Sequence, residues 1–185
     1  MNIVVILGTT RINNQSRKVA DFVYDILNVR HHAHVKLLDL SETDFPLMRM
    51  RYTEEESPSE MMDVWVECLK AASGIVIVSP EYKNGYPGSL KNFLDYLPPG
   101  MFRYKALGIV SVSSGSSGGS NCLSQLRLVS ISMGGIVIPD RFQVSNVEKT
   151  FDLHHSQVPA SVSQVAEKFV SEFYKYCEVL QPLSI

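Results

Sequence analysis

The 185-residue chain has little cysteine: only Cys68, Cys122 and Cys177, with no two close together. That spacing excludes a disulfide framework and a Cys-based zinc site, and it fits a reducing compartment. No apolar run approaches the roughly 20 residues that span a bilayer. A strand pattern begins at Ile3, which leaves no room for a signal peptide. A cytoplasmic protein without membrane contact is therefore expected. Net charge is −2, and no basic block, arginine-rich helix or acidic tail stands out, so nucleic acid is not an expected partner. A Gly-rich loop ending in Gly-Lys-Ser/Thr is missing, as is Gly-x-Gly-x-x-Gly, which sets aside the two commonest nucleotide fingerprints. No Gly-x-Ser-x-Gly with a convincing Asp and His is present either, which argues against a serine hydrolase.

What is present is an ordinary globular composition, 45% hydrophobic and 19% charged, expected to form one domain over residues 1–185. The first thirty residues organise it. The apolar run Ile3–Leu7 stops at Gly8, a loop of hydroxyls, amides and two arginines follows, and the helical pattern Val19, Phe22, Val23, Ile26, Leu27 then begins. Strand, loop and helix in that order place the loop at a helix N-terminus, where free N–H groups and a positive partial charge receive anions. Threonine, serine and guanidinium groups there suit a phosphate.

The alternation continues. Strands are expected at Ala33–Leu40, Gly74–Ser79, Ala106–Val112 and Ile136–Pro139. Helices are expected from Ser57, with Pro58 in the first turn, and over Ser89–Leu97, Asn121–Met133 and Val162–Leu180. Residues 41–57 and 140–158 read as irregular. Five apolar strand runs separated by helices give an α/β fold, a parallel sheet covered on both faces. In the strand order 2-1-3-4-5, strands one, three and four are neighbours, so the loops 8–17, 79–88 and 113–120 meet at one edge, where such folds bind ligands. These are also the chemically unusual loops. The second contains Gly85 and Gly88, which permit close backbone approach. The third consists entirely of Ser and Gly.

Other features have plainer readings. His31, His32 and His34 straddle a helix end and a strand start without an acid or Cys at ligand spacing, and are read as a solvated turn. His154 and His155 are read as an exposed loop. Asp39 is read as a capping residue, Cys122 as a small core residue, and the Met/Trp stripe over 61–69 as core or an oligomer face. No metal is expected.

Taken together, Gly8-Thr9-Thr10-Arg11, Gln15-Ser16, Ser79-Pro80-Glu81-Tyr82, Tyr86-Pro87-Gly88-Ser89-Leu90-Lys91-Asn92 and Gln125-Leu126-Arg127 resemble the NADPH-dependent FMN reductase family. That family has a flavodoxin-like three-layer fold and includes flavin, quinone, azo-dye and chromate reductases. The resemblance implies that Thr9, Arg11, Gln15 and Ser16 bind the FMN phosphate. It places Pro80, Glu81, Tyr82 and Lys83 along the isoalloxazine and ribityl chain, and Ser113, Ser114 and Gly115 at the ring's pyrimidine side. It implies NADPH or NADH as co-substrate, a small-molecule acceptor, ping-pong kinetics with no essential acid, base or nucleophile, and a homodimer or homotetramer with the second helix and the 41–57 segment near the interface. The alternative is a non-catalytic flavin-binding electron carrier or interaction module. Two departures stand out: Lys83 where the family usually has Asn, and Ser111-Val112-Ser113-Ser114 with a longer Ser/Gly tract where it usually has Ser-Tyr-Gly-Gly.

Overall fold

In the computed structural model, which describes residues 1–43, 46–151 and 158–183, strands and helices alternate as the apolar pattern requires. β1 (Asn2–Leu7), β2 (His34–Asp39), β3 (Gly74–Pro80) and β4 (Ala106–Val112) pair in parallel in the order β2-β1-β3-β4. The fifth position is shared by two short segments. β5 (Ile136–Val137) pairs with the start of β4 and β6 (Phe142–Val144) with its end. The sheet order is thus the expected 2-1-3-4-5.

Side-chain alternation along each strand feeds two cores. Ile3, Val5 and Leu7 of β1, with Val76, Val78, Val110 and Val112, pack under α1 (Ser16–His31) and α6 (Ala160–Leu180), against Val19, Val23, Phe169 and Phe173. Val4, Ile6, Ile75, Ile77, Leu107 and Ile109 face α2 (Glu60–Ala71), α3 (Gly88–Tyr96) and α4 (Ser120–Ser132), against Trp65, Leu69, Phe93 and Leu126. Both faces are covered, which is why these strands read as continuous apolar runs. On α2, Met62, Trp65, Val66 and Leu69 are buried while Met61 and Val64 are exposed, so only part of the 61–69 stripe is core.

Two expectations need correction. The second helix does not begin at Ser57 with Pro58 in its first turn. Ser59 is its cap, with backbone in the extended region and Oγ accepting the Met62 N–H at 3.3 Å; two serines flank the proline, and the second has the capping geometry. Nor is 140–158 wholly irregular. Strand five ends at Val137 rather than Pro139, and Phe142–Val144 completes its position before a single helical turn, α5 (Val147–Thr150). Phe142 and Val144 are buried, and a three-residue segment is too short to show a strand period. His154 and His155 lie outside the described residues. His31 stacks on Tyr174 at 4.6 Å between ring centroids, and His32 ends α1 at φ 49°.

Among the described residues, no helix is long and apolar enough to cross a membrane, and no group of three His, Cys, Asp or Glu side chains is placed to hold a metal ion. Burial pushes the Cys122 thiol up to about 11 and the Cys177 thiol up to about 12. Neither is a ready nucleophile at neutral pH. A thiol reagent at pH 8 should therefore label one site in the folded protein, the half-buried Cys68, and all three in denaturant. Rapid native labelling at Cys122 would contradict this burial.

Close packing of α6 on the sheet gives a second expectation. A Cβ at Gly74 would stand 2.3 Å from Cys177 Sγ and 2.8 Å from Phe173 Cζ, whereas one at Gly88 meets nothing within 4 Å. Gly74→Ala should lower the urea midpoint by the equivalent of about 1–3 kcal/mol with an unchanged m-value. Gly88→Ala, at the open start of α3, should hold or slightly raise it.

Candidate functional site

Where the central strands end, the backbone must find new partners, and three loops supply them. The ladder runs one step past each strand: the Gly8 N–H donates to Val78 O at 2.8 Å, and the Glu81 N–H to Val112 O at 2.9 Å. The three loops that emerge are those following β1, β3 and β4. Together with α5 they enclose a cleft of about 570 Å³, within the usual range for a small-molecule site.

The first loop contributes Arg11, Asn13, Asn14, Gln15 and Ser16 to the cleft wall. Asn14 closes it locally. Its Nδ2 donates to Arg11 O at 3.1 Å, and its Oδ1 accepts the Arg17 N–H at 2.9 Å, capping α1. The two arginines have different roles. Arg17 donates to Asp21 at 2.8 Å and to the buried Asp39 at 3.0 Å, and the carboxylates raise its pKa, the Asp21 hydrogen bond most. Asp39 Oδ1 also accepts from the N–H and hydroxyl of Ser41, which is the capping role expected of it. Arg11 is exposed, and among the described residues its guanidinium forms no ion pair. The Gln15 Oε1 is buried and has no hydrogen-bond partner among the described residues.

Thr9 lies behind this wall. It is 1% exposed, its Oγ1 lies 3.0 Å from the Tyr82 hydroxyl, and it accepts the Arg11 N–H at 3.2 Å. One side chain thus ties the first loop to the second across 73 positions of sequence.

The second loop contributes Pro80, Glu81, Tyr82 and Lys83. Tyr82 and Gly85 exchange backbone hydrogen bonds at 2.8 and 3.1 Å around Lys83 (φ 50°) and Asn84 (φ 64°). Two central residues at positive φ make this a tight turn of the I′ kind, which favours Gly, Asn and Asp. Asn84 suits it. Lys83 does not, at a cost on the order of 1 kcal/mol. The start of α4 holds the turn in place. Glu81 Oε2 accepts the N–H groups of Asn121 and Cys122 at 2.9 and 3.0 Å, a favourable place for a carboxylate. Gln125 Nε2 donates to Asn84 O at 2.9 Å.

The third loop contributes Val112, Ser113 and Ser114. Gly115 stands outside the wall; its N–H donates to Ser113 Oγ and its carbonyl accepts the Asn146 N–H. The Val147 N–H donates to Ser113 O at 3.1 Å, and this tether brings Val147 and Glu148 into the cleft. The rest of the Ser/Gly tract turns away through Gly118 (φ 61°) and Gly119 (φ 78°) into α4. Of the wall residues, Asn13, Asn14, Val112, Val147 and Glu148 were not singled out by the sequence reading. The asparagines lay inside the flagged first loop, whereas Val147 and Glu148 carried no local signal.

The cleft so built has a helix N-terminus, an uncommitted guanidinium and hydroxyls at one end, and exposed peptide edges along a tyrosine-bearing turn at the other. Comparison with known proteins identifies the family. The family described as NADPH-dependent FMN reductase matches residues 1–149. The chain is 36% identical over 129 residues to an NADPH azoreductase of Bacillus sp. (strain OY1-2), covering 69% of this chain and 67% of that protein. It is 29% identical over 144 residues to an FMN-dependent NADPH-azoreductase of Staphylococcus aureus, covering 74% and 72%. Among solved structures, the fold is shared with the apo form of an NADH:FMN oxidoreductase, EMOB (TM-score 0.77, 22% identity, 92% of this chain and 87% of that one). It is also shared with the NAD(P)H:(acceptor) oxidoreductase FerB of Paracoccus denitrificans (TM-score 0.78, 18% identity, 95% and 96%). On its sequence and on the sheet that carries the cleft, the chain belongs to the NADPH-dependent FMN reductase family, with a flavodoxin-like fold.

Proposed function

We propose that the chain holds FMN in this cleft and uses NADPH or NADH to reduce a small electrophilic acceptor such as free flavin or a quinone. The observation that carries this reading is the first loop. It sets an exposed Arg11 and a buried Gln15 Oε1, neither with a side-chain partner among the described residues, beside the start of α1. A phosphate answers both, since turning the Gln15 amide end for end exchanges its oxygen for an N–H donor.

In this reading Arg11, Gln15 and Ser16 hold the phosphate, and Thr9 orients the loop through its contacts with Tyr82 and Arg11. The backbone of Pro80, Glu81, Tyr82 and Lys83 lies along the ring and ribityl chain. Ser113 and Ser114 close the pyrimidine side, with Gly115 supporting them. FMN, when bound, supplies the hydride chemistry, and the protein contributes binding, orientation and electrostatics. No side chain is assigned as acid, base or nucleophile. Donor and acceptor take turns at the same opening, which gives ping-pong kinetics. The azoreductase activity named for two relatives supports a reductase of this kind. A homodimer or homotetramer would cover the exposed Leu47, Met48, Met50, Met61 and Val64 around α2.

The purified chain, reconstituted with FMN, should absorb near about 450 nm, bleach with NADPH and recover with a quinone under steady turnover. Bound flavin that no nicotinamide reduces would indicate an electron carrier instead. A chain that takes up no flavin would overturn the reading.

The two loop arginines should separate cleanly. Arg11→Ala should weaken FMN binding by about 1.5–3 kcal/mol, the range for a charged hydrogen bond, and leave the thermal midpoint of the flavin-free chain in place. Arg17→Ala should instead lower that midpoint, because the buried Asp39 loses its cationic partner. Unchanged FMN affinity in Arg11→Ala would put the phosphate elsewhere.

A further inference from the structure

Lys83 is the least expected residue in the cleft wall. The turn that carries it is over-determined: Tyr82 and Gly85 pair across it, Gln125 holds its second central residue, and Glu81 anchors its approach to α4. Its backbone is left-handed at φ 50°, where Asn or Gly would sit with less strain. Lysine at this position therefore runs against local preference, and a residue held in a disfavoured backbone conformation in a cleft wall is a candidate for function rather than folding.

The charges around it point the same way. Four ionisable side chains other than tyrosine line the cleft: Arg11, Glu81, Lys83 and Glu148. The Glu81 carboxylate accepts from the first N–H groups of α4. Arg11 belongs to the first loop, beside the start of α1. Lys83 is exposed, stands on a different loop, and among the described residues forms no ion pair. The cleft thus presents a second cation, on a turn whose geometry is fixed, and one further carboxylate, Glu148, that forms no ion pair among the described residues.

On the reading that FMN occupies the cleft with its phosphate at Arg11, we infer that Lys83 is a specificity-determining residue. It selects substrates that carry an oxyanion. Two sources share that chemistry: the 2′-phosphate of NADPH, and a sulfonate or carboxylate on the acceptor. A flexible exposed ammonium makes a salt-sensitive contact of modest strength, so the effect falls on discrimination between substrates.

The test compares the FMN-loaded wild type with Lys83→Asn and Lys83→Arg. Asn suits the left-handed backbone, so that variant should fold at least as well. Calorimetric titration of the oxidised holoprotein with NADP⁺ and NAD⁺ gives one affinity ratio. Titration with a naphthoquinone and its sulfonate gives another, and kcat/KM ratios for the same pairs are read beside them. In Lys83→Asn at least one ratio should fall about three- to tenfold toward the uncharged or less charged member. Lys83→Arg should restore it, and added salt should shrink the wild-type preference. A fall in the nicotinamide ratio alone identifies the 2′-phosphate, a fall in the quinone ratio alone the acceptor, and a fall in both a site they use in turn. Holoprotein that turns over with every ratio unchanged in Lys83→Asn overturns the inference and leaves the FMN assignment standing. Failure to bind FMN at all overturns both.

Discussion

The structure depends on the burial of β1, β3 and β4 from both sides. With β1, β3 and β4 each paired to a strand on either side and helices packed on each face, these strands offer free polar groups where they stop. The register decides where that is. Leu7 stands opposite Val78, while Pro80 stands opposite Val112. β3 and β4 therefore run two residues past β1, leaving the first loop recessed between α1 and two projecting turns. A cleft at this edge follows from the parallel connections themselves, since each strand must lead into a helix on one face or the other.

Within that cleft, chemistry is sorted by which groups already have partners. Arg17 and Asp39 pair below the loop, and the Glu81 carboxylate answers the start of α4. Thr9 and Tyr82 hold each other. These contacts are scaffold: they fix three loops relative to one another before any ligand arrives, which is the preorganisation a binding site needs. Among the described residues, Arg11 and the Gln15 Oε1 on the first loop remain without such a partner. A polar residue in such a site is therefore better judged by what its side chain already touches than by its position in a motif.

This distinction also marks the limit of what the amino-acid sequence disclosed. The strands β1, β3 and β4 and their loops were legible because continuous β-branched runs bounded by Gly, Pro and Ser have few other readings. Given the 2-1-3-4-5 order of such folds, the meeting of the three loops followed from them. The split fifth strand was not legible, because Phe142–Val144 is too short to show a period and becomes a strand only by pairing with the end of β4. Val147 and Glu148 were missed for the same reason, being brought to the cleft by the Ser113 tether rather than by any pattern of their own. At Thr9 and Glu81 the sequence indicates proximity to the cleft. It does not indicate that the Thr9 hydroxyl and the Glu81 carboxylate face inward, toward Tyr82 and α4, because such long-range partners leave no local trace.

The two departures from the family pattern can be weighed against the same backbone. The extended Ser/Gly tract is absorbed away from the cleft. Gly118 and Gly119 take the left-handed angles that turn it into α4, Ser111 Oγ donates to Gly118 O at 2.7 Å, and Ser113 and Ser114 still line the wall. Those left-handed angles are ones that glycine adopts at little cost. Lys83 is the opposite case. There the turn is secured by Gln125 and by the pairing of Tyr82 with Gly85, and it carries a residue that its left-handed backbone disfavours. The Ser/Gly tract thus bends away from the cleft beyond Ser114, whereas the Tyr82–Gly85 turn sets a positively charged side chain at its wall.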